Sequence, residues 1–108
     1  MSLEDTVRKR IIRVLLESKS PLSAREIAEL VGLDPVTGEH EVYLHLRHIA
    51  KTLRRSYDGR ATLYMIPPSC RSCGYVFKGL DTPRKPSKCP RCRSQRIDPP
   101  RFYIEVED

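Results

Sequence analysis

Between residues 3 and 18 the positions Leu3, Val7, Ile11, Val14, Leu15 and Ser18 fall on one stripe, with Arg8, Lys9, Arg13 and Glu17 opposite. That spacing is the 3.6-residue period of an amphipathic helix. Ser2 and Asp5 can cap its start, and Ser20-Pro21 ends it because proline lacks the N–H that a further turn would need. Ser23-Ala24-Arg25-Glu26 then reads as a capping box: the serine accepts from the Glu26 amide while the glutamate reaches back to the serine's own N–H. Ile27, Ala28, Leu30 and Val31 follow at helical spacing, and Gly32 suits the left-handed residue that closes a helix. The second helix is therefore short. Leu33 to Gly38 is rich in turn formers, and beyond it Val42, Leu46, Ile49, Ala50 and Leu53 mark a third helix over about 39–55. Two helices separated by a turn after a first form a helix-turn-helix pattern.

The period then changes from 3.6 to 2. Tyr57-Asp58-Gly59-Arg60 forms a turn, Ala61-Thr62-Leu63-Tyr64-Met65-Ile66 reads as a strand, and over 101–107 Phe102, Ile104 and Val106 alternate with Tyr103, Glu105 and Glu107. The second stretch is a half-buried strand suited to pair with the first. Between them lies an insertion, 67–100, bracketed by Pro67-Pro68 and Pro99-Pro100, stiff pairs that cannot donate to a sheet ladder. The expected organisation is one domain from 1–66 with 101–108, carrying a second module at 67–100.

All four cysteines fall inside the insertion: Cys70-Arg71-Ser72-Cys73 and Cys89-Pro90-Arg91-Cys92, fifteen residues apart. Two short loops that each present two thiolates match the tetrahedral demand of zinc, and four protein ligands leave no coordination position open for substrate. The metal is thus expected to be structural. Iron suits the same four-thiolate cage, as in rubredoxin, and the sequence does not choose between them. A disulfide framework would suit a small secreted chain, but Met1 to Arg10 has no apolar signal region. A thioredoxin-like motif would need a helix after one pair, and neither is followed by an apolar helical period. The module is too small for an independent core, whereas structural zinc contributes roughly 10–16 kcal/mol at neutral pH.

At 108 residues the chain has room for one compact domain with an insertion. Its formal net charge is +6, which four thiolates around one divalent ion would reduce to about +4. A basic balance favours a polyanionic partner, with nucleic acid the commonest. No apolar run approaches the ~20 residues of a membrane span, so a cytoplasmic protein is expected.

Helix, helix, helix, strand, insertion, strand is the order of a winged helix whose wing tip has been replaced by a zinc ribbon. Residues 22–53, with Arg25-Glu26-Ile27-Ala28 and His45-Leu46-Arg47-His48-Ile49, resemble winged helix-turn-helix regulators. Residues 70–102, with Cys70-Arg71-Ser72-Cys73-Gly74-Tyr75-Val76-Phe77-Lys78 and Ile97-Asp98-Pro99-Pro100-Arg101-Phe102, resemble an archaeal family of predicted transcriptional regulators that fuses the two modules. The resemblance implies an α+β fold, namely a winged helix of three helices and a two-stranded wing with a rubredoxin-like zinc ribbon inserted in that wing. It also implies zinc on Cys70, Cys73, Cys89 and Cys92 and a role in transcription.

In helix-turn-helix proteins the second helix of the motif enters the major groove. With Val42, Leu46, Ile49 and Leu53 inward, the outward positions are Glu41, Leu44, His45, His48, Lys51 and Arg55. The start of this helix offers Glu39 and Glu41 where a base reader presents Arg, Asn or Gln; both suit the helix dipole. Positive charge collects instead at Arg47, Lys51, Arg54 and Arg55. The ribbon adds Arg71, Lys78, Arg84, Lys85, Lys88, Arg91, Arg93 and Arg96 against Asp81 and Asp98. Arg71, Lys88, Arg91 and Arg93 lie beside cysteines and can favour their thiolates. Arg84 and Lys85 lie farther away and suit phosphate contact.

The expected DNA-facing set is therefore Leu44, His45, Arg47, His48, Lys51, Arg54, Arg55, Arg84 and Lys85. His40, His45 and His48 make a poor metal site without a third ligand on their face, and Tyr75 and Phe77 suit packing beside the zinc loops better than base stacking. Double-stranded DNA is the leading partner. An adaptor of the transcription machinery is the alternative, since the layout resembles in kind the archaeal transcription factor E alpha subunit, with RNA polymerase as partner. The first helix is long enough to pair with a second copy in a homodimer. No phosphate-cradling glycine loop or nucleophile with a spaced His and acid is present, so an enzyme is not expected.

Overall fold

The computed structural model describes residues 3–56, 59–80 and 82–107. The expected cap at Ser2, the side chains of Asp5 and Arg54, and the turn residues Tyr57 and Asp58 lie outside the described residues. Helix α1 runs Leu3–Glu17 and ends where Ser18 Oγ donates to the Ser20 carbonyl at 2.6 Å, just before Pro21. Strand β1, Leu22–Ser23, leads directly into α2, Ala24–Leu30. The capping box is present: the Glu26 amide donates to Ser23 Oγ at 3.2 Å and the Ser23 amide donates to Glu26 Oε1 at 3.1 Å. Gly32, at φ 84°, closes α2 with paired backbone bonds, Leu33 to the Ala28 carbonyl and Gly32 to the Glu29 carbonyl. This is the Schellman arrangement, which requires a left-handed residue.

Helix α3 is Thr37–Ser56, starting two residues earlier than the apolar pattern indicates. Asp34 explains the difference. Its Oδ1 accepts from the Val36 and Thr37 amides, both at 2.9 Å, and Pro35 follows it as a first-turn proline. The Thr37 and then the Val36 amide hold the Asp34 carboxyl below the usual carboxylate range.

Strands β2 (Ala61–Ile66) and β5 (Arg101–Val106) pair antiparallel in full register from Ala61↔Val106 to Ile66↔Arg101. The pairing expected between these two segments across the insertion is thus present. A third strand completes the sheet in the order β1-β5-β2, with Leu22 opposite Phe102 and Ser23 opposite Arg101. Two residues carry no period, so β1 leaves no signal in the sequence. The inner sheet face contributes Phe102 and Ile104, which pack with Ile11, Ile27, Leu46, Ile49 and Leu53 of the helices. On the outer face Tyr64 stacks on Tyr103 with centroids 5.1 Å apart.

A second sheet, β3 (Ser69–Cys70) with β4 (Ile97–Asp98), begins where the first stops. The last pair of one is Ile66↔Arg101 and the first of the other is Ser69↔Asp98, so the two proline pairs face each other across the junction. Pro68 and Pro100 are fully buried there. Proline cannot extend the ladder, which breaks and restarts in a new sheet. Between Tyr75 and Phe77 the chain adds a single bridge to this sheet, Val76 to Ser69.

Ser23 ends β1 and caps α2, so its loss should be felt in both. Ser23→Ala is expected to cost about 1 kcal/mol and lower the melting temperature by roughly 4–8 °C. Ser23→Asp, which keeps a cap acceptor, should recover most of the loss in urea or thermal melts followed by circular dichroism.

Candidate metal centre

Each cysteine pair sits on a tight turn, and the two turns repeat the same geometry. In the first, the Gly74 amide donates to the Cys70 carbonyl at 2.9 Å and the Cys70 amide to the Tyr75 carbonyl at 2.8 Å. In the second, the Arg93 amide donates to the Cys89 carbonyl and the Cys89 amide to the Ser94 carbonyl, both at 2.9 Å. Both turns need a residue of positive φ directly after the second cysteine. Gly74, at φ 79°, meets that demand freely; Arg93, at φ 62°, meets it as the one positive-φ residue other than glycine among the described residues. Two bonds fasten the turns together: Ser72 Oγ to Ser94 Oγ at 2.8 Å and the Arg71 amide to the Arg96 carbonyl at 2.8 Å.

This duplicated turn brings all four Sγ atoms within 4.8 Å of one another. Across the turns Cys70 and Cys92 are 3.5 Å apart, and Cys73 and Cys89 3.6 Å. A disulfide would require about 2.05 Å, whereas a tetrahedral ion with Zn–S near 2.3 Å has S···S edges of about 3.8 Å. The four cysteines are free thiols and fit the metal, not the covalent bridge. Cys70 and Cys89 are buried; Cys73 and Cys92 lie at the surface. Among the described residues these are the sole cluster suited to a metal, and no histidine joins one.

The backbone prepares the sulfurs for charge. Burial pushes the Cys70 thiol up, but the Cys73 and Ser72 amides and hydrogen bonds from neighbouring thiols more than offset it and bring it to about 6. Burial also opposes ionisation of Cys89, where the amides of Cys92 and Arg91 at 3.5 and 3.3 Å prevail and lower its pKa. Cys92 goes the other way: the Ser94 amide lowers it, but burial and its bonds to the other three sulfurs drive it to about 12. Four crowded sulfurs cannot all ionise without a cation among them. A divalent ion held by Cys70, Cys73, Cys89 and Cys92 would supply that charge and displace the remaining protons.

Packed against the sulfurs, Cys70, Cys89 and Ile97 form a small cluster with Tyr75 and Phe77, whose rings meet edge to face at 5.1 Å. Of the cations beside the cysteines, Arg71 is engaged with Asp98, donating from Nη2 and Nε to one carboxylate oxygen at 2.9 and 3.2 Å. That pair is not apparent from spacing, because the residues are 27 positions apart and meet through β3–β4 pairing.

The residues expected to face DNA divide into two groups. Leu44, His48, Lys51 and Arg55 are exposed on one side of α3, and Arg84 and Lys85 are exposed on the ribbon's long loop. His45 is not outward: it is only 5 % exposed, because Arg8 Nε of α1 donates to its Nδ1 at 3.1 Å and Glu41 lies 3.7 Å from its Nε2. His45 faces inward to meet a partner on α1, which a single helical wheel does not reveal. Arg47 is also diverted. Its guanidinium donates to the Pro83 carbonyl at 3.3 Å, tying α3 to the ribbon's loop.

Two family models match the chain: PF0610-like, N-terminal, over residues 6–60, and PF0610 rubredoxin-like zinc beta-ribbon domain over residues 67–107. Fold and site together define a mixed α+β protein with a rubredoxin-like zinc ribbon. The chain belongs to the PF0610-like family. It is similar to protein PF0610 from Pyrococcus furiosus, whose solution NMR structure it matches with a TM-score of 0.77 at 33% sequence identity, over 99% of this chain and 95% of that one. No curated protein matches the sequence. No helix among the described residues is long and apolar enough to cross a membrane.

Elemental analysis of purified protein should find about one equivalent of zinc or iron. Cys89→Ser, or a strong chelator, should abolish the dispersed amide signals of 69–98 in NMR spectra. Removing one proton per thiol makes metal affinity pH-dependent: as pH falls through 6, Cys70 becomes protonated in the metal-free protein, and the slope of log affinity against pH should steepen by about one. Arg93→Gly should stabilise the loaded ribbon by about 1 kcal/mol, and Gly74→Ala should destabilise it by about as much, measured by chemical denaturation.

Proposed function

We propose that the protein is a DNA-binding transcriptional regulator of winged-helix type, in which the metal is structural and the ribbon replaces the tip of the wing. In this reading α3 lies in or near the major groove with Leu44, His48, Lys51 and Arg55 toward the duplex. Arg84 and Lys85 of the ribbon contact flanking phosphates. The observation that carries it is the Arg47 bond to Pro83, which holds the neighbouring Arg84-Lys85 pair next to α3 and so joins two basic segments distant in sequence. The three-stranded sheet behind α3, with its edge strand β1 before α2, has the strand and helix order of that class. The sites of contact are positive but sparse, and Glu41 stands exposed among them. Phosphate attraction would thus outweigh base reading.

A second reading, a protein adaptor of the transcription machinery, is favoured by a different surface. The outer sheet face presents the stacked Tyr64 and Tyr103 beside Ile66, with Tyr64 39% and Ile66 42% exposed. Aromatic side chains of this kind anchor protein interfaces.

The two separate experimentally. Under the leading reading the protein binds short duplex DNA at low salt, and log affinity falls linearly with log salt. Arg84→Ala with Lys85→Ala should reduce that slope by up to about two, and Lys51→Ala with Arg55→Ala by a similar amount. Absence of duplex binding at 50 mM salt, with capture of purified RNA polymerase subunits that Tyr64→Ala abolishes, would establish the adaptor instead.

A further inference from the structure

A cleft of about 360 Å³ opens between the N-terminal turn of α2 and the ribbon. Four cationic side chains from four separate segments line it: Arg25 of α2, Arg71 of the first cysteine turn, Lys85 of the long loop and Arg96 just before β4. One carboxylate, Glu39, lies among them. Arg25 stands 3.7 Å from Glu39, and Arg71 is held by Asp98 at 2.9 Å. Among the described residues Lys85 and Arg96 have no ion-pair partner. Two exposed positive charges lining one concave space are thus left without a counter-charge, which an entering anion would supply.

Compensation of the thiolates does not account for it. Arg25 belongs to α2 and has no part in the metal turns, and Lys85 is four residues from the nearest cysteine, Cys89. The volume falls at the lower end of small-molecule sites, and the Gln95 side chain in its wall adds neutral hydrogen-bonding capacity. Guanidinium groups bind phosphate through paired N–H donors, and an ammonium adds a point charge.

We infer that this cleft binds a small phosphorylated anion, held between Arg25 on the helical side and Arg96 and Lys85 on the ribbon side. A duplex backbone offers its phosphates along a convex ridge, whereas these cations line a concave cleft with walls from both parts of the chain; the small ligand is the better fit. Because its ligands come from both parts of the chain, the bound anion ties the ribbon to α2. Lys85 is shared with the phosphate contacts of the DNA reading, but Arg25 and Arg96 have no part in that reading, so the two sites are tested separately.

The test is an amide NMR titration of the metal-loaded full chain with inorganic phosphate, at ionic strength held constant with chloride. Saturable shifts concentrated at residues 25, 85, 95 and 96, complete below about 10 mM, are expected. Arg25→Ala with Arg96→Ala should weaken binding at least about tenfold while retaining metal and amide dispersion, and Arg10→Ala on α1 should leave it unchanged. Shifts that grow linearly without saturating, spread over the whole surface, or persist at full strength in the folded double variant would overturn the site. Should that double variant not fold, Lys85→Ala alone decides: unchanged phosphate binding overturns the site and a weakened one upholds it. If residues 25 and 96 respond to a short duplex but not to phosphate, the cleft is a backbone contact and the small-ligand site is refuted.

Discussion

Four sulfurs confined within 4.8 Å are the constraint on which the ribbon half of this molecule rests. Its apolar cluster consists of two of those cysteines, Ile97, Tyr75 and Phe77. Its sheet is two residues long on each side. Neither can offset the conformational entropy of ordering some thirty residues. The metal turns can, because each backbone turn aims amides at the first sulfur of its pair and the two turns are bonded to one another. The opposed ionisation of Cys70 and Cys92 shows why a cation is needed: the fold favours charge on some sulfurs and, through their closeness, opposes it on another.

The ribbon is not a free appendage. The two family matches divide the chain around β2, yet β5, which lies in the second match, is the central strand of the sheet built with the first. Phe102, two residues beyond the ribbon's proline border, is completely buried among the helices. The sheet therefore closes only when the chain has returned from the ribbon. Buried Pro68 and Pro100 make the junction stiff, and the Arg47 contact with Pro83 fixes the long loop against α3. These contacts couple the ribbon to the helices and give the basic loop a defined place beside α3.

Such coupling carries a cost that the structure leaves visible. Arg47 Nε and the Tyr43 hydroxyl, one turn apart on α3, are buried without a hydrogen-bond partner among the described residues. Burial, followed by the charge of Glu39, raises the Tyr43 hydroxyl above its ordinary value. Both groups lie on the part of α3 that is drawn inward, where packing on Phe102 and attachment to the loop override the satisfaction of individual polar atoms.

Much of this was written in local pattern. The three helices follow from apolar spacing, the start of α2 from Ser23 and Glu26, the paired strands from alternation, and the metal ligands from two Cys-x-x-Cys turns, because each is set by neighbours within a few residues. What lay beyond reach depends on residues far apart in the chain. The edge strand Leu22–Ser23 exists only because Phe102 and Arg101 arrive beside it. His45 turns inward only because Arg8 waits on α1, and Arg47 is withdrawn from the surface only because Pro83 offers a carbonyl. Periodicity assigns a side chain to a face of its own helix, but the partner that meets that face is chosen by the packing of the whole chain.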